Sequence, residues 1–167
     1  MKPRLLKPEP LTPKAFAPYG DVIECSELAV QKKINYGSAV RFHDLAALDL
    51  NAGTGKPLVS IVRSIPLERP IAIKVMERHP LSSQAFYPLS GHPYIVVVAE
   101  KGDFDPRKVR AFLVSKNQGV NYHKGTWHHY LLSLDGESDF LVIDRGGPEE
   151  NCDEVFLQGA DSIHLEY

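Results

Sequence analysis

Cysteine is almost absent from this chain: Cys25 and Cys152 are the only two among 167 residues. Two cysteines make no disulfide framework, and a chain of this length can bury a core without one. Long apolar runs are missing as well. The longest, Tyr94 to Ala99, falls far short of the roughly 20 residues a membrane-spanning helix needs. Neither sign of charge dominates, since 19 Lys and Arg stand against 21 Asp and Glu, and 19 − 21 gives −2 with histidine neutral. That balance offers no basic footprint for nucleic acid or an anionic membrane. The opening MKPRLLKPEPLTP has an apolar centre of only Leu5-Leu6, too short for a secretory signal. The expectation is therefore a cytoplasmic protein. No internal repeat and no low-complexity stretch is present.

What is there is an ordinary globular composition, 43% hydrophobic and 9% aromatic, enough for one domain over residues 1–167. Short segments rich in β-branched and aromatic residues recur between Gly, Pro, Asp and Ser. They are Val59 to Ser64, Ile71 to His79, Gln84 to Pro88, Tyr94 to Ala99, Arg110 to Val114, Val120 to His123, His128 to Leu134 and Phe140 to Asp144. Each reads as a strand. Thr12-Pro13 opens a short helix over Lys14 to Ala17, and Asp105-Pro106 offers a second such start. Asn51 to Pro57 reads as an exposed loop, and the chain before about Ala52 shows no clear period. The fold class is mainly β, a barrel or sandwich with a few short helices.

One strand points toward chemistry. In IAIKVMERH, alternation puts Ile71, Ile73, Val75, Glu77 and His79 on one face. Three apolar residues there lead into a carboxylate and an imidazole. Burying both is costly unless they pair, hydrogen-bond or bind something. Gln84 follows five residues later, and His128 lies in GVNYHKGTWHH, which holds three of the seven histidines.

The spacing Glu77-x-His79-x4-Gln84-x6-Gly91 resembles the first motif of the cupin superfamily, His-x-His-x4-Glu-x6-Gly. His123-x-Gly125-x2-His128 resembles the second, Pro-x-Gly-x2-His. Glu77 stands where the first His is usual and Gln84 where Glu is usual. Three longer stretches make the likeness more specific: ERHPLSSQAFYPL (Glu77 to Leu89), GVNYHKGTWHH (Gly119 to His129) and FLVIDRGGPEENC (Phe140 to Cys152). Together with AFAPYGDVIE and INYG…RFHDLA they resemble the ureidoglycolate lyase family. The resemblance implies a cupin-like β-barrel, a cytoplasmic homodimer, and cleavage of (S)-ureidoglycolate to glyoxylate and urea in allantoin degradation. It is sometimes associated with nickel; no nucleotide or organic cofactor is expected.

That reaction breaks a C–N bond as a hydroxyl proton leaves and the departing nitrogen gains one. The assignment from the residues is His128 or His79 as base, with Glu77 setting tautomer and basicity. Gln84 would bond the ureido group, and Tyr122 would either donate from its phenol or pack in the core. With a divalent metal present, His79, His128, Glu77 and Gln84 would instead be its ligands. Arg63, Lys124 and Arg145 are candidates for the substrate carboxylate, although Lys124, beside a glycine turn, also reads as plain surface. Regular alternation turns Trp127 and His129 away from His128, toward packing or a dimer interface. His123 is a lesser candidate at the turn. His43, His92 and His164 read as surface residues, and Asp144-Arg145 as a structural ion pair or a site element. Two alternatives remain: another small-molecule enzyme on the same barrel, such as a metal-dependent isomerase or dioxygenase, and a non-catalytic metabolite-binding barrel.

Overall fold

Tyr94–Ala99 is buried along its whole length, and this strand organises the fold. Its side chains alternate between two cores. Tyr94, Val96 and Val98 enter one cluster with Phe16, Phe112, Phe140 and Val142. Ile95, Val97 and Ala99 enter the other, with Met76, Trp127, Leu132 and Ile163. A strand apolar on both faces must be covered on both, and the rest of the chain does that. The computed structural model describes residues 2–167.

Two antiparallel layers enclose the first cluster. One runs in the order Asp153–Phe156, Val75–Arg78, Trp127–His128, Tyr94–Ala99, Arg110–Val114, Glu9–Pro10, with Leu132–Ser133 also paired to Tyr94–Ala99. The other runs Gly20–Ile23, Gly119–Tyr122, Gln84–Pro88, Ser138–Gly146, Lys56–Ser64. The Glu9–Pro10 strand joins its neighbour in parallel. A three-stranded sheet of Arg4–Leu6, Ile163–Leu165 and Ala72–Ile73 closes over the second cluster. The architecture is mainly β, with the sheets unclosed. No helix among the described residues is long and apolar enough to cross a membrane.

Helical structure is slight, as expected. Thr12 caps the Pro13–Phe16 turn by accepting from the Ala15 N–H at 3.2 Å. Asp105 accepts from the Arg107 N–H at 3.0 Å to open the Pro106–Lys108 turn. The early chain, unreadable in sequence, forms the Gly20–Ile23 strand and a separate hairpin, Val30–Ile34 with Ala39–His43.

Two strands differ from the expectation, each by a break in alternation. Ile71 to His79 is not continuous: it divides at Lys74 into Ala72–Ile73 and Val75–Arg78. Ile73 and Met76 consequently face the same cluster although three residues apart. Ile71 and Ile73 therefore do not share a face with Glu77, as strict period-two reading had it. His128 to Leu134 likewise divides into Trp127–His128 and Leu132–Ser133. Trp127 and Leu132 enter the same cluster across that break.

Phe112 tests the first cluster. It is fully buried and meets the Phe16 ring edge-on at 5.7 Å. Phe112→Ala should cost about 3–5 kcal/mol of folding stability, read from urea unfolding. A loss below about 1 kcal/mol would show that this cluster does not hold the layers together.

Candidate active site

Backbone register brings the first polar residues together. His128 pairs with Val98 on one side and with Glu77 on the other. Its ring lies flat on Tyr122, with centroids 4.3 Å apart and planes 6° off parallel. Tyr122 comes from the opposite layer, so this stack spans the two sheets. His79 follows the end of Val75–Arg78, and its ring centroid lies 5.2 Å from that of His128. One ligand-type atom each from Glu77, His79 and His128 falls within 4.8 Å of the others.

The hydrogen bonds fix which atoms are free. His128 Nδ1 lies 3.3 Å from the His129 carbonyl and 3.6 Å from Glu77 Oε1. Both are acceptors, so Nδ1 carries the proton and Nε2 keeps a lone pair. That Nε2 is buried without a partner. His79 Nδ1 donates to the Asn151 carbonyl at 2.7 Å, which leaves its Nε2 as an acceptor too. Yet Nε2 stands 3.2 Å from Gln84 Oε1, while the Gln84 Nε2 group donates to Asp144 at 3.4 Å. Two lone-pair carriers thus face one another, which requires a proton or a cation between them.

Burial sets the protonation states. Loss of hydration, reinforced by nearby His79, pushes His128 down to about 3, so it is neutral and its contact with Glu77 is not an ion pair. Burial lowers His129 to about 4. Burial raises Glu77 above the usual carboxylate range, although neighbouring His79 works against this. Burial also raises the Tyr122 phenol, with Glu77 adding to it.

The cluster lies on a cavity of about 380 Å³ whose wall includes Glu77, Gln84, Tyr122, His128, His129 and Asp144. His79 and Asn151 line a neighbouring polar cavity of about 250 Å³, which shares Gln84 and Asp144 with the first. The predicted Glu77, His79, Gln84, Tyr122 and His128 therefore come together. Of the predicted cations, Arg63 borders the first cavity and Arg145 the second, and Lys124 borders neither; all three are already engaged. Arg63 stands at the cavity rim, but its guanidinium is engaged by Asp139 at 2.7 and 2.9 Å. Lys124 bridges to Asp49 at 2.7 Å. Arg145 is buried, held by the Ala52 carbonyl and by Glu149 at 2.5 Å; its work is to pin the loop at Ala52.

Two residues, His129 and Asn151, escape the sequence reading, and Asp144, open there between an ion pair and a site element, lines the cavity. His129 does not turn away from the site: the strand ends at His128, and His129 also lines the cavity, with its Nε2 buried and unpartnered. No local signal announces that break. Asp144 makes no pair with Arg145 and instead ends the inward face Phe140, Val142, Asp144. Its parity made it findable by the argument that found Glu77. Asn151 acts through a loop carbonyl, which no side-chain pattern reveals. His123 sits outside the cavity beside Asp21, and His92 bonds Ser138 at 3.1 Å.

The neutral histidines predict an acid-sensitive fold. Both have folded values below the ordinary 6.5, so the unfolded chain binds protons first as pH falls. Their stabilisation is complete above about pH 6.5 and declines below it. Glu77 shifts oppositely, one group against two. With chelator present, the urea midpoint should fall from pH 7 to pH 5. His129→Gln, which takes up no proton, should flatten that fall; an equally steep fall would contradict the assignment.

The family profile described as Ureidoglycolate lyase matches residues 3–164. A ureidoglycolate lyase of Burkholderia cepacia is 53% identical over 163 residues, covering 97% of this chain and 92% of the relative. One from Pseudomonas paraeruginosa is 49% identical over 164 residues, covering 98% and 96%. Among solved structures, oxalate decarboxylase from Bacillus subtilis superposes with a TM-score of 0.42 at 16% identity, over 60% of this chain and 24% of that one. The match over nearly the whole chain, at about half identity, places this chain in the ureidoglycolate lyase family.

Proposed function

We propose that this protein cleaves (S)-ureidoglycolate to glyoxylate and urea, acting as a carbon–nitrogen lyase. The observation that carries the reading is the convergence of Glu77, His79 and His128 on one cavity in a chain of this family. The substrate carbon bears a hydroxyl, a carboxylate and a ureido nitrogen. As the hydroxyl proton leaves, its oxygen electrons close the carbonyl of glyoxylate. The C–N pair departs with urea, whose nitrogen takes up a proton. No water is consumed.

With no metal in the cluster, proton transfer falls best to Glu77; with one bound, Glu77 is a ligand instead. Its raised affinity for a proton suits a group that accepts from the hydroxyl and returns to the leaving nitrogen. His128, at about 3, is a weak base but holds a fixed lone pair. The stack on Tyr122 locks its plane, and the Glu77 and His129 contacts lock its tautomer.

The donor set fits a divalent metal. Ligands about 2.0–2.2 Å from one ion stand roughly 3 Å apart, and His79 Nε2 and Gln84 Oε1 are separated by 3.2 Å. His128 Nε2 is an orphaned lone pair beside them. Among the described residues lining the main cavity the one cation is Arg63, already engaged by Asp139. The anionic substrate therefore needs positive charge from elsewhere. Glu77, His79, His128 and the Gln84 oxygen would hold the ion, and nickel is the metal the family resemblance names. Such an ion supplies Lewis-acid polarisation of the substrate's hydroxyl and carboxylate oxygens.

The chain is further proposed to act as one domain, since both core clusters draw on Tyr94–Ala99. A cytoplasmic homodimer fits the two free, exposed cysteines and the exposed Val59, Ile61 and Ile65 along one sheet edge.

Incubation with ureidoglycolate should release glyoxylate and urea in equal amounts, and chelation should abolish turnover until one metal is restored. Ammonia without urea, or no turnover, would refute the lyase reading. His128→Ala should lower kcat at least about a hundredfold while the protein stays folded; near-native kcat would remove His128 from the site.

A further inference from the structure

Asp144 has an unusual position for a carboxylate. It lines both cavities and pairs with no cation, because its neighbour Arg145 is committed to Ala52 and Glu149. Among the described residues, its side chain makes one hydrogen bond, accepted from Gln84 Nε2 at 3.4 Å. A carboxylate only accepts. The amide end facing Asp144 must therefore be the NH2, and the oxygen must face His79.

The opposite orientation would have two consequences. The Gln84 oxygen would be set against a carboxylate oxygen. The NH2 would donate to His79 Nε2, the nitrogen left unprotonated by the bond from Nδ1 to Asn151. One rotation would thus remove an oxygen ligand and occupy a nitrogen ligand together. An amide is ambiguous in a way that a glutamate at the same position is not.

We propose that Asp144 is a positioning residue that holds the Gln84 amide oxygen-inward, so that Gln84 Oε1 and His79 Nε2 both stay open to a divalent cation. Asp144 touches neither cation nor substrate in this role. It acts through Gln84: one hydrogen bond ties Gln84 to Asp144 and another ties His79 to Asn151, and the two open acceptors, Gln84 Oε1 and His79 Nε2, lie between them. The inference rests on the metal-dependent form of the function proposed above and names the residue that makes glutamine serviceable there.

The test uses four full-length proteins: native, D144N, Q84E and Q84E/D144N. Nickel binding is measured by calorimetry on chelated, desalted protein, alongside kcat, KM and thermal melting. D144N lets the amide turn, because the introduced group can donate as well as accept. Nickel affinity should fall roughly ten- to a hundredfold, the range for groups that orient metal ligands. The drop in kcat should match, and the melting temperature should stay within about 2 °C. Q84E alone sets two carboxylates together and should also bind poorly. The double variant should recover to within about threefold of native, because the introduced carboxylate offers an oxygen whichever way it turns and the introduced amide donates to it.

Native-like nickel affinity in D144N would overturn the proposal, as would a double variant no better than D144N alone. A native chain that takes up no nickel would overturn it too, leaving no ligand set to complete. Mutual rescue in calorimetry without turnover of ureidoglycolate would uphold Asp144's role and refute the substrate instead.

Discussion

Everything in this fold follows from one strand that tolerates water on neither side. Tyr94–Ala99 sends Tyr94, Val96 and Val98 into one core and Ile95, Val97 and Ala99 into the other. Any residue placed beside it is drawn into dry surroundings. His128 pairs with Val98 and Glu77 with His128, so an imidazole and a carboxylate enter the apolar layer by register alone. Their altered protonation is a consequence of that placement. The hydration that would charge His128 is removed by the neighbours that stabilise the sheet.

The strands themselves were legible in the sequence, because period-two alternation and turn residues are local signals. The faces were less so. Lys74 interrupts the pairing between Ile73 and Val75, and one unpaired residue exchanges the two faces of everything beyond it. Glu77 and His79 reach the site, but not by the continuous apolar face that Ile71 and Ile73 suggested. The same interruption after His128 turns His129 inward. Both breaks are set by tertiary pairing, which no local window contains.

The cluster was readable for a related reason. Polar residues that end an apolar face are expensive, and Glu77 and His79 stand out on that ground, with Gln84 marked by its spacing after them. Asp144 ends the face of Phe140 and Val142 in the same manner. The basic residues are harder to read, because charge and position say nothing about prior engagement. Arg63, Lys124 and Arg145 are each committed to a nearby carboxylate, and those pairings are set in three dimensions.

Charge balance explains why an amide sits at position 84. Glu77 and Asp144 already bring two carboxylates to the wall of the main cavity, and the substrate brings a third. A glutamate at 84 would add a fourth beside Asp144. Glutamine supplies the same oxygen without that charge. If the cation is divalent and Glu77 is its one charged protein ligand, the ion and its ligands carry +2 − 1 = +1, which matches a monoanionic substrate. The gain in charge brings a loss of symmetry, since an amide has a wrong way round. Asp144 lies one step further out and can only accept. It resolves that ambiguity from a position where its own charge is separated from the cluster by the amide it orients.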